Sequence, residues 1–543
     1  MIGSVHRKTR LWNGILLFAV ALAATLAHGE NQKQVVLDGI TFDSAYDNGS
    51  MGQVVQRSSD RFLVPLYEEQ GELGPRRYWF RFRIFGPANR TLTLDLEHAE
   101  NPRPFIRESA APWRRMTKEE APDLETVTVH LLGEEHPIEL AFFEPLGVNE
   151  TIEAVDRLTS AFPQVVTEEP LGETDDGMPL TLFTITDKTT PIDSKQRVWV
   201  HSRAHAGEVT STHVLLGMLE RLMEDSPRGR ALRSQLIVHV VPLLNPDGIR
   251  RGHTRWDAAG RDPESQWCAI ASPAIQSIKA QVDVLMNQEI PITLALNLHS
   301  TKGAYADTFF FKHLTPSVSS AFEVIQQRYI DALADRSPLF ENLNPGGSQL
   351  HACRFIESYF WNGWGEKVMA LTHEGHFHRR LTDNEWITGD DYRSLGRSMA
   401  SALTDFYELS PARTLSWEEW QAEHFDALER RFESLSGPLA DPDDDNRANI
   451  LEYGQATHPR RFDPSTAPLT MGNSLSFSRS LVAGDATWYV EYSSDLVSWR
   501  AISPVGWEMQ PAEQPGIETV AVPFPKKFGT NFIRVAVDLN KDR

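Results

Sequence analysis

His205 and Glu208 set an imidazole and a carboxylate three positions apart, in the segment Val198-Trp-Val-His-Ser-Arg-Ala-His205-Ala-Gly-Glu208. The apolar residues before them read as a strand and those after them as the opening of a helix, so both side chains can turn toward one ion. Gly207 allows the chain to bend between them. Zinc accepts imidazole nitrogen and carboxylate oxygen, and a catalytic zinc site takes three protein ligands and keeps one position for water. His299 is the third candidate, at the end of the apolar run Ile292-Thr-Leu-Ala-Leu-Asn-Leu-His299. Strand ends are where open α/β sheets bind their ligands. An HxxE pair or a strand-end histidine carries little alone, and the two together at the ends of two strands carry much more. Glu374 closes another such run, Val368-Met-Ala-Leu-Thr-His-Glu374. A carboxylate there is costly if buried unpaired, and beside a water acidified by zinc it is a general base. The stretch is not an HExxH helix, because Phe377 stands where the second histidine belongs.

These residues need a scaffold of strands ending on one edge. Gln196–His201, Leu236–Leu244, Ile292–Leu298 and Val368–Thr372 are continuous apolar runs, separated by helical patterns such as the stripe Val214, Leu215, Met218, Leu219, Leu222. That alternation predicts an α/β domain over 151–410, a mixed, mainly parallel sheet flanked by helices, with its last helix from Tyr392 to Tyr407. Upstream, Arg77-Tyr-Trp-Phe-Arg-Phe-Arg-Ile84, Leu92–Leu96 and Val127–Leu132 alternate with period two and predict a β-sandwich over 30–150. Downstream come an acidic, Trp-containing amphipathic helix over 414–433, within a helical linker at 411–460, and a β-rich unit at 461–543.

Residues 1–29 read as a secretory signal peptide, with basic residues at 7, 8 and 10, the apolar run Gly14–Ala27 and a small-residue site around Ala27 and Gly29. The expected location is therefore secreted or periplasmic, with no spanning segment left after cleavage. A formal charge of −21 argues against a nucleic-acid partner, which would need basic patches. The two cysteines, Cys268 and Cys353, can pair in an exported protein or remain as buried thiols, and spacing does not choose between these.

With these elements in place, the chain resembles the zinc carboxypeptidase family, and within it the cytosolic-carboxypeptidase-like branch. The matching segments are Ser202-Arg-Ala-His-Ala-Gly-Glu208, Pro242-Leu-Leu-Asn-Pro-Asp-Gly248, Gly252-His-Thr-Arg255, Asn297-Leu-His-Ser300 and Thr372-His-Glu374, in the family's order. Tyr78-Trp-Phe-Arg-Phe82 and Ala141-Phe-Phe-Glu-Pro145 extend the likeness upstream. The resemblance implies zinc on His205, Glu208 and His299, Glu374 as the residue that promotes water attack and shuttles the proton, and Arg255 as the cation that polarises the scissile carbonyl. It implies hydrolysis of a peptide bond, of carboxypeptidase type. One departure bears on specificity. In Gly260-Arg-Asp-Pro-Glu264-Ser265-Gln-Trp267, Glu264 and Ser265 stand where the family keeps the Asn-Arg pair that grips a free C-terminal carboxylate. A carboxylate there would repel such a group. The reading is therefore a zinc metallopeptidase acting on a peptide or peptide-like substrate. The alternatives are an amidase or deacylase on non-protein or cell-wall amides, and a non-catalytic binding protein.

A second metal pattern lies outside this domain. Asp441, Asp443, Asp445, the carbonyl of Arg447, Asn449 and Glu452 fall at positions one, three, five, seven, nine and twelve of an EF-hand-type loop. Asn446 replaces the glycine at position six and tolerates the left-handed backbone needed there. The spacing suits a structural calcium ion.

Overall fold

The computed structural model describes residues 31–96, 102–224, 227–268, 271–301, 308–342, 354–381, 383–409, 415–426, 428–462, 469–471, 474–502, 507–511, 517–523 and 532–539. The expected signal peptide and Cys353 lie outside the described residues.

The period-two segments upstream form two sheets. Strands Gln34–Leu37, Ile40–Asp43, Arg81–Phe85, Ile138–Ala141, Phe105–Glu108 and Arg114–Arg115 pair antiparallel in that order. Val55–Ser58, Arg61–Val64, Thr91–Leu96 and Thr126–His130 make the second sheet, with one parallel pairing between Arg61–Val64 and Thr91–Leu96. Leu92, Leu94 and Leu96 point inward from one strand, and Phe42 meets Phe62 between the sheets at 5.2 Å.

The central sheet has seven strands, in the order Val166–Glu173, Pro179–Ile185, Leu236–Val241, Gln196–Ser202, Ile292–Ser300, Met369–Gly375, Phe309–Phe311. The strands from Leu236–Val241 to Met369–Gly375 are parallel, as the continuous apolar runs require, and the outer pairings are antiparallel. Helix Val209–Leu222 covers the sheet, and Gly389–Phe406 packs on that helix. The β-rich region and this sheet share one core, since Phe377 contacts Tyr78, Phe142 and Phe143 at 5.0–5.9 Å between ring centroids.

Arg81 links the two parts. It is buried, and its Nε donates to Glu139 while both terminal nitrogens donate to Glu150, all at 2.7 Å. Glu150 also accepts from Gly147 N at the start of helix Val148–Thr159. Burial pushes the Glu139 and Glu150 carboxyls up, but Arg81, with Arg107, outweighs it and holds both below the ordinary value. Stability from these depressed groups is present above their unfolded-state pKa and is lost as pH falls through the folded one. Arg81→Met should cost about 3–5 kcal/mol at neutral pH, because Glu139 is left buried without its main partner. Urea denaturation at pH 7 and pH 3.5 checks this, and the cost should be smaller at the lower pH.

Pro246-Asp247-Gly248 opens a short helix, Pro246–Arg251, which Asn245 caps by accepting from Gly248 N at 3.0 Å. One local expectation differs from the structure. The helix expected over 414–433 stops at His424. There Phe425 turns extended and is buried near Trp420, and Asp426 accepts from the backbone of Leu428 and Glu429 to start a separate turn. Downstream, Leu469–Met471, Ser474–Ser480, Ile517–Pro523 and Glu508–Pro511 form one antiparallel sheet, and Arg500–Ala501, Ala486–Ser493 and Phe532–Leu539 another.

Candidate metal centre

Three adjacent parallel strands deliver the site. Ser202 is opposite Leu298, and His299 is opposite Glu374, so the chain segments bearing all four predicted residues leave the same edge of the sheet. The chain turns off its strand at Arg203, which holds a left-handed φ of +59°. A non-glycine residue there stores strain, which the surroundings must offset. They do so through the guanidinium, fully buried and donating to Ala206 O (2.7 and 3.0 Å), Leu146 O (3.0 Å) and Thr212 Oγ1 (3.2 Å). The bend expected at Gly207 is thus made at Arg203. Gly207 has a different role, close approach: a Cβ there would come within 2.9 Å of Thr254 O and 3.0 Å of the Tyr78 ring. Tyr78, from the upstream β region, therefore lies against the turn between two of the candidate ligands.

His205 Nδ1 is 2.7 Å from Glu208 Oε1, and His299 Nδ1 is 2.8 Å from Glu208 Oε2. One ligand atom from each of the three residues lies within 4.8 Å of the others. The far nitrogens are held too: His205 Nε2 is 3.1 Å from Asp262 Oδ1, and His299 Nε2 is 3.2 Å from Glu264 Oε2. Each imidazole thus lies between two carboxylates, and, against burial, Glu208 and Glu264 raise the His299 pKa well above its ordinary value. A metal ion on the Nδ1 side would replace those protons and leave the ring proton on Nε2, facing the outer carboxylate. One divalent ion satisfies both rings at once, so the residues fit zinc. Burial pushes the Glu208 carboxyl up, yet the two histidines hold it well below its ordinary range, and Ser300 N donates to it at 2.9 Å.

Glu374 is partly buried, and its Oε2 has no hydrogen-bond partner among the described residues. Burial and the Glu208 charge push its carboxyl up to about 8 in the ion-free site, and a cation held by the three ligands would draw it down toward the proton-accepting form. Arg255 donates from Nε (3.1 Å) and Nη2 (2.7 Å) to Asp262 Oδ2, the carboxylate that also orients His205. Its loop is anchored upstream by Glu69, which accepts from Arg255 N at 2.5 Å, while Glu72 accepts from Asp262 N (3.0 Å) and Ser265 Oγ (2.8 Å).

Glu264 and Ser265 serve this loop. Glu264 is buried, accepts from Asn297 Nδ2 at 2.9 Å and pairs with His299, and Ser265 Oγ donates to Glu72. Arg261 is occupied by Asp257 and Asp175. Arg354 lies at the rim, 38% exposed, with Nη2 3.8 Å from Asp262 Oδ2. Tyr359 donates to Asp283 at 2.5 Å and so is committed outside this cluster. Asp262, Arg203, Tyr78, Glu69 and Glu72 were not marked by spacing. Asp262, Arg203 and Tyr78 lay inside stretches that the resemblance had already aligned, while Glu69 and Glu72 carried no such signal.

Residues 151–338 match the zinc carboxypeptidase family. The chain therefore carries a zinc carboxypeptidase domain, the domain of a zinc-dependent hydrolase. Within the family it is similar to human cytosolic carboxypeptidase 6, at 24% identity over 418 residues, covering 68% of this chain and 79% of that one. An uncharacterized protein of Zymomonas mobilis is also 24% identical, over 396 residues that cover 68% of this chain and 98% of it. The solved metallo-carboxypeptidase of Burkholderia cenocepacia shares the fold, with a TM-score of 0.58 and 22% identity over 68% of this chain and 99% of that one. Among the described residues no helix is long and apolar enough to cross a membrane.

Proposed function

We propose that this protein hydrolyses peptide bonds by zinc-assisted attack of water, and that it removes residues from a free C-terminus. Zinc held by His205, Glu208 and His299 would supply Lewis acidity, acidifying a water and polarising the scissile carbonyl. Glu374 takes the water's proton at Oε2 and returns it to the leaving amine. Arg255, kept in place by Asp262, donates to the oxyanion as negative charge develops on the carbonyl oxygen.

The observation that carries the exopeptidase part is Arg354. The family's Asn-Arg pair is replaced by Glu264 and Ser265, but the Glu264 charge is engaged by His299 and Asn297. A partly exposed guanidinium beside Asp262 is a suitable receptor for a substrate carboxylate. The test uses matched peptides with free and amidated C-termini, followed by mass spectrometry. Stepwise trimming of the free acids alone is expected. Arg354→Ala should reduce kcat/KM on free acids by about 10- to 100-fold, the worth of a charge-assisted hydrogen bond, and affect amidated peptides little. Cleavage of both peptides by the wild type would favour the second reading, an amidase or deacylase, which rests on the loss of the Asn-Arg pair. No cleavage of any peptide or amide by the zinc-loaded wild type would leave only a binding protein.

The same proposal places the protein outside the cytoplasm after loss of residues 1–29. Support comes from the apolar run Gly14–Ala27 behind basic residues, and from Cys268, which is disulfide-bonded. The five-part division of the chain, into signal peptide, β-sandwich, catalytic domain, linker and C-terminal β unit, belongs to this proposal too. Partners are peptides or peptide-like molecules, with no nucleic acid.

A further inference from the structure

The acidic loop at 441–452 lies outside the zinc site. Asp441, Asp443 and Asp445 bring one carboxylate oxygen each to within 4.8 Å of one another. Such clusters are common on surfaces and prove nothing alone. The decisive group is Glu452, which is fully buried and whose Oε2 has no hydrogen-bond partner among the described residues. Its other oxygen has only a 3.5 Å contact from Thr457 Oγ1. Burial, then the charges of Asp443 and Asp445, push its carboxyl up to about 8 against the opposing charge of Arg447, with Asp441 adding to the rise. Asp443 Oδ2 is also buried without a partner among the described residues.

A buried, unpartnered carboxylate raised by the charges of an aspartate cluster is strongly unfavourable unless a cation joins them. The Arg447 guanidinium approaches the cluster, with Nη2 3.7 Å from Asp445 Oδ2. Its charge opposes the rise at Glu452, yet Glu452 Oε2 and Asp443 Oδ2 keep no hydrogen-bond partner among the described residues. We propose that this loop binds a calcium ion through Asp441, Asp443, Asp445, the Arg447 carbonyl and Glu452. Calcium takes six to eight oxygens in a flexible shell, with a bidentate carboxylate at the twelfth position. The backbone is already wrapped for it: Asp444 and Asn446 hold left-handed φ values of +58° and +70°. Asn449, expected at position nine, differs. Its Nδ2 donates to Leu435 O and Gly437 O at 3.0 Å, so it fastens the loop to the preceding helix, and any contact to the ion passes through Oδ1 or a water.

The consequence is structural. Glu452 sits in helix Asn449–Gln455, whose Tyr453 donates to Leu415 O at 2.6 Å and packs on Trp417 and Trp420. Leu451 of the same helix packs on the core of the C-terminal sheets. Calcium binding would therefore fix the helix that joins the C-terminal β unit to the linker.

The test is calorimetric titration of calcium chloride into full-length, zinc-loaded protein dialysed into calcium-depleted buffer, with melting curves alongside. One equivalent should bind with Kd of about 1 mM or tighter, and the melting temperature should rise by about 5 °C at saturation. Glu452→Gln and Asp443→Asn should each weaken binding at least about tenfold and shrink the thermal response. Glu452→Gln should also raise the melting temperature of the calcium-free protein, because it removes a buried carboxylate facing its like. No binding heat and no thermal shift at 10 mM calcium would overturn the proposal. So would an equal response to magnesium, or full calcium binding by both variants.

Discussion

Glu374→Gln is expected to lower kcat by about 10²- to 10⁴-fold on any peptide the wild type cleaves, the range general-base catalysis supplies. It should leave zinc bound at one equivalent. The two halves of this expectation come from different observations. Glutamine keeps the shape of the side chain but cannot take a proton, and the Oε2 atom it replaces has no hydrogen-bond partner among the described residues, so no local network is broken. The ligand set does not include Glu374: His205, Glu208 and His299 meet one another without it. Its carboxyl is pushed up by burial and by Glu208, so the amide should be no worse for folding than the acid. Single-turnover kinetics and zinc quantification on the same preparation make the check. If kcat falls together with zinc content, Glu374 helps hold the ion, and the division of roles argued above is wrong. If neither changes, another group is the base.

How much of this was readable in the sequence differs from residue to residue. His205, Glu208, His299 and Glu374 were legible because each lies at the end of an apolar run, and such runs become buried parallel strands. Once the strands are parallel and adjacent, their ends must converge, and the register that sets His299 opposite Glu374 completes what the pattern implied. The departure at Glu264-Ser265 was also visible, but its meaning was not. In one dimension a glutamate in place of asparagine reads as repulsion toward a substrate carboxylate. In three dimensions its charge is taken up by His299 and Asn297, residues 35 and 33 positions away. Glu69 and Glu72 escaped for a related reason. They lie in the upstream β region and act on Arg255, Asp262 and Ser265 across separations of 186 to 193 residues, which no local period can encode. Arg203 was hidden because its importance lies in a backbone angle. Its guanidinium offsets the strain of a left-handed turn, and an arginine between two motif residues carries no mark of that.

The carboxylates behind the histidines lead to the second large effect. Asp262→Asn and Glu264→Gln should each weaken zinc affinity by about 10- to 100-fold, the usual cost of losing a partner behind a metal ligand. The reason is the tautomer. Each carboxylate keeps the imidazole proton on Nε2 and raises the electron density that Nδ1 can give. The two contacts are to different rings, so the losses should multiply in the double variant, apart from any coupling through the Glu208 carboxylate that both rings share. Excess zinc then separates the two positions. Glu264 touches His299 and Asn297, so its variant should regain much of its rate when zinc is saturating. Asp262 also holds Arg255 by two hydrogen bonds, so its variant should stay slow on the same substrate after zinc is restored. Competition with a chromophoric chelator gives the affinities, and kcat at saturating zinc gives the rest. Wild-type affinity in Glu264→Gln would mean that the Glu264–His299 contact only fills space. The glutamate would then have to be explained by the substrate, as a receptor for a cationic group where relatives receive an anion.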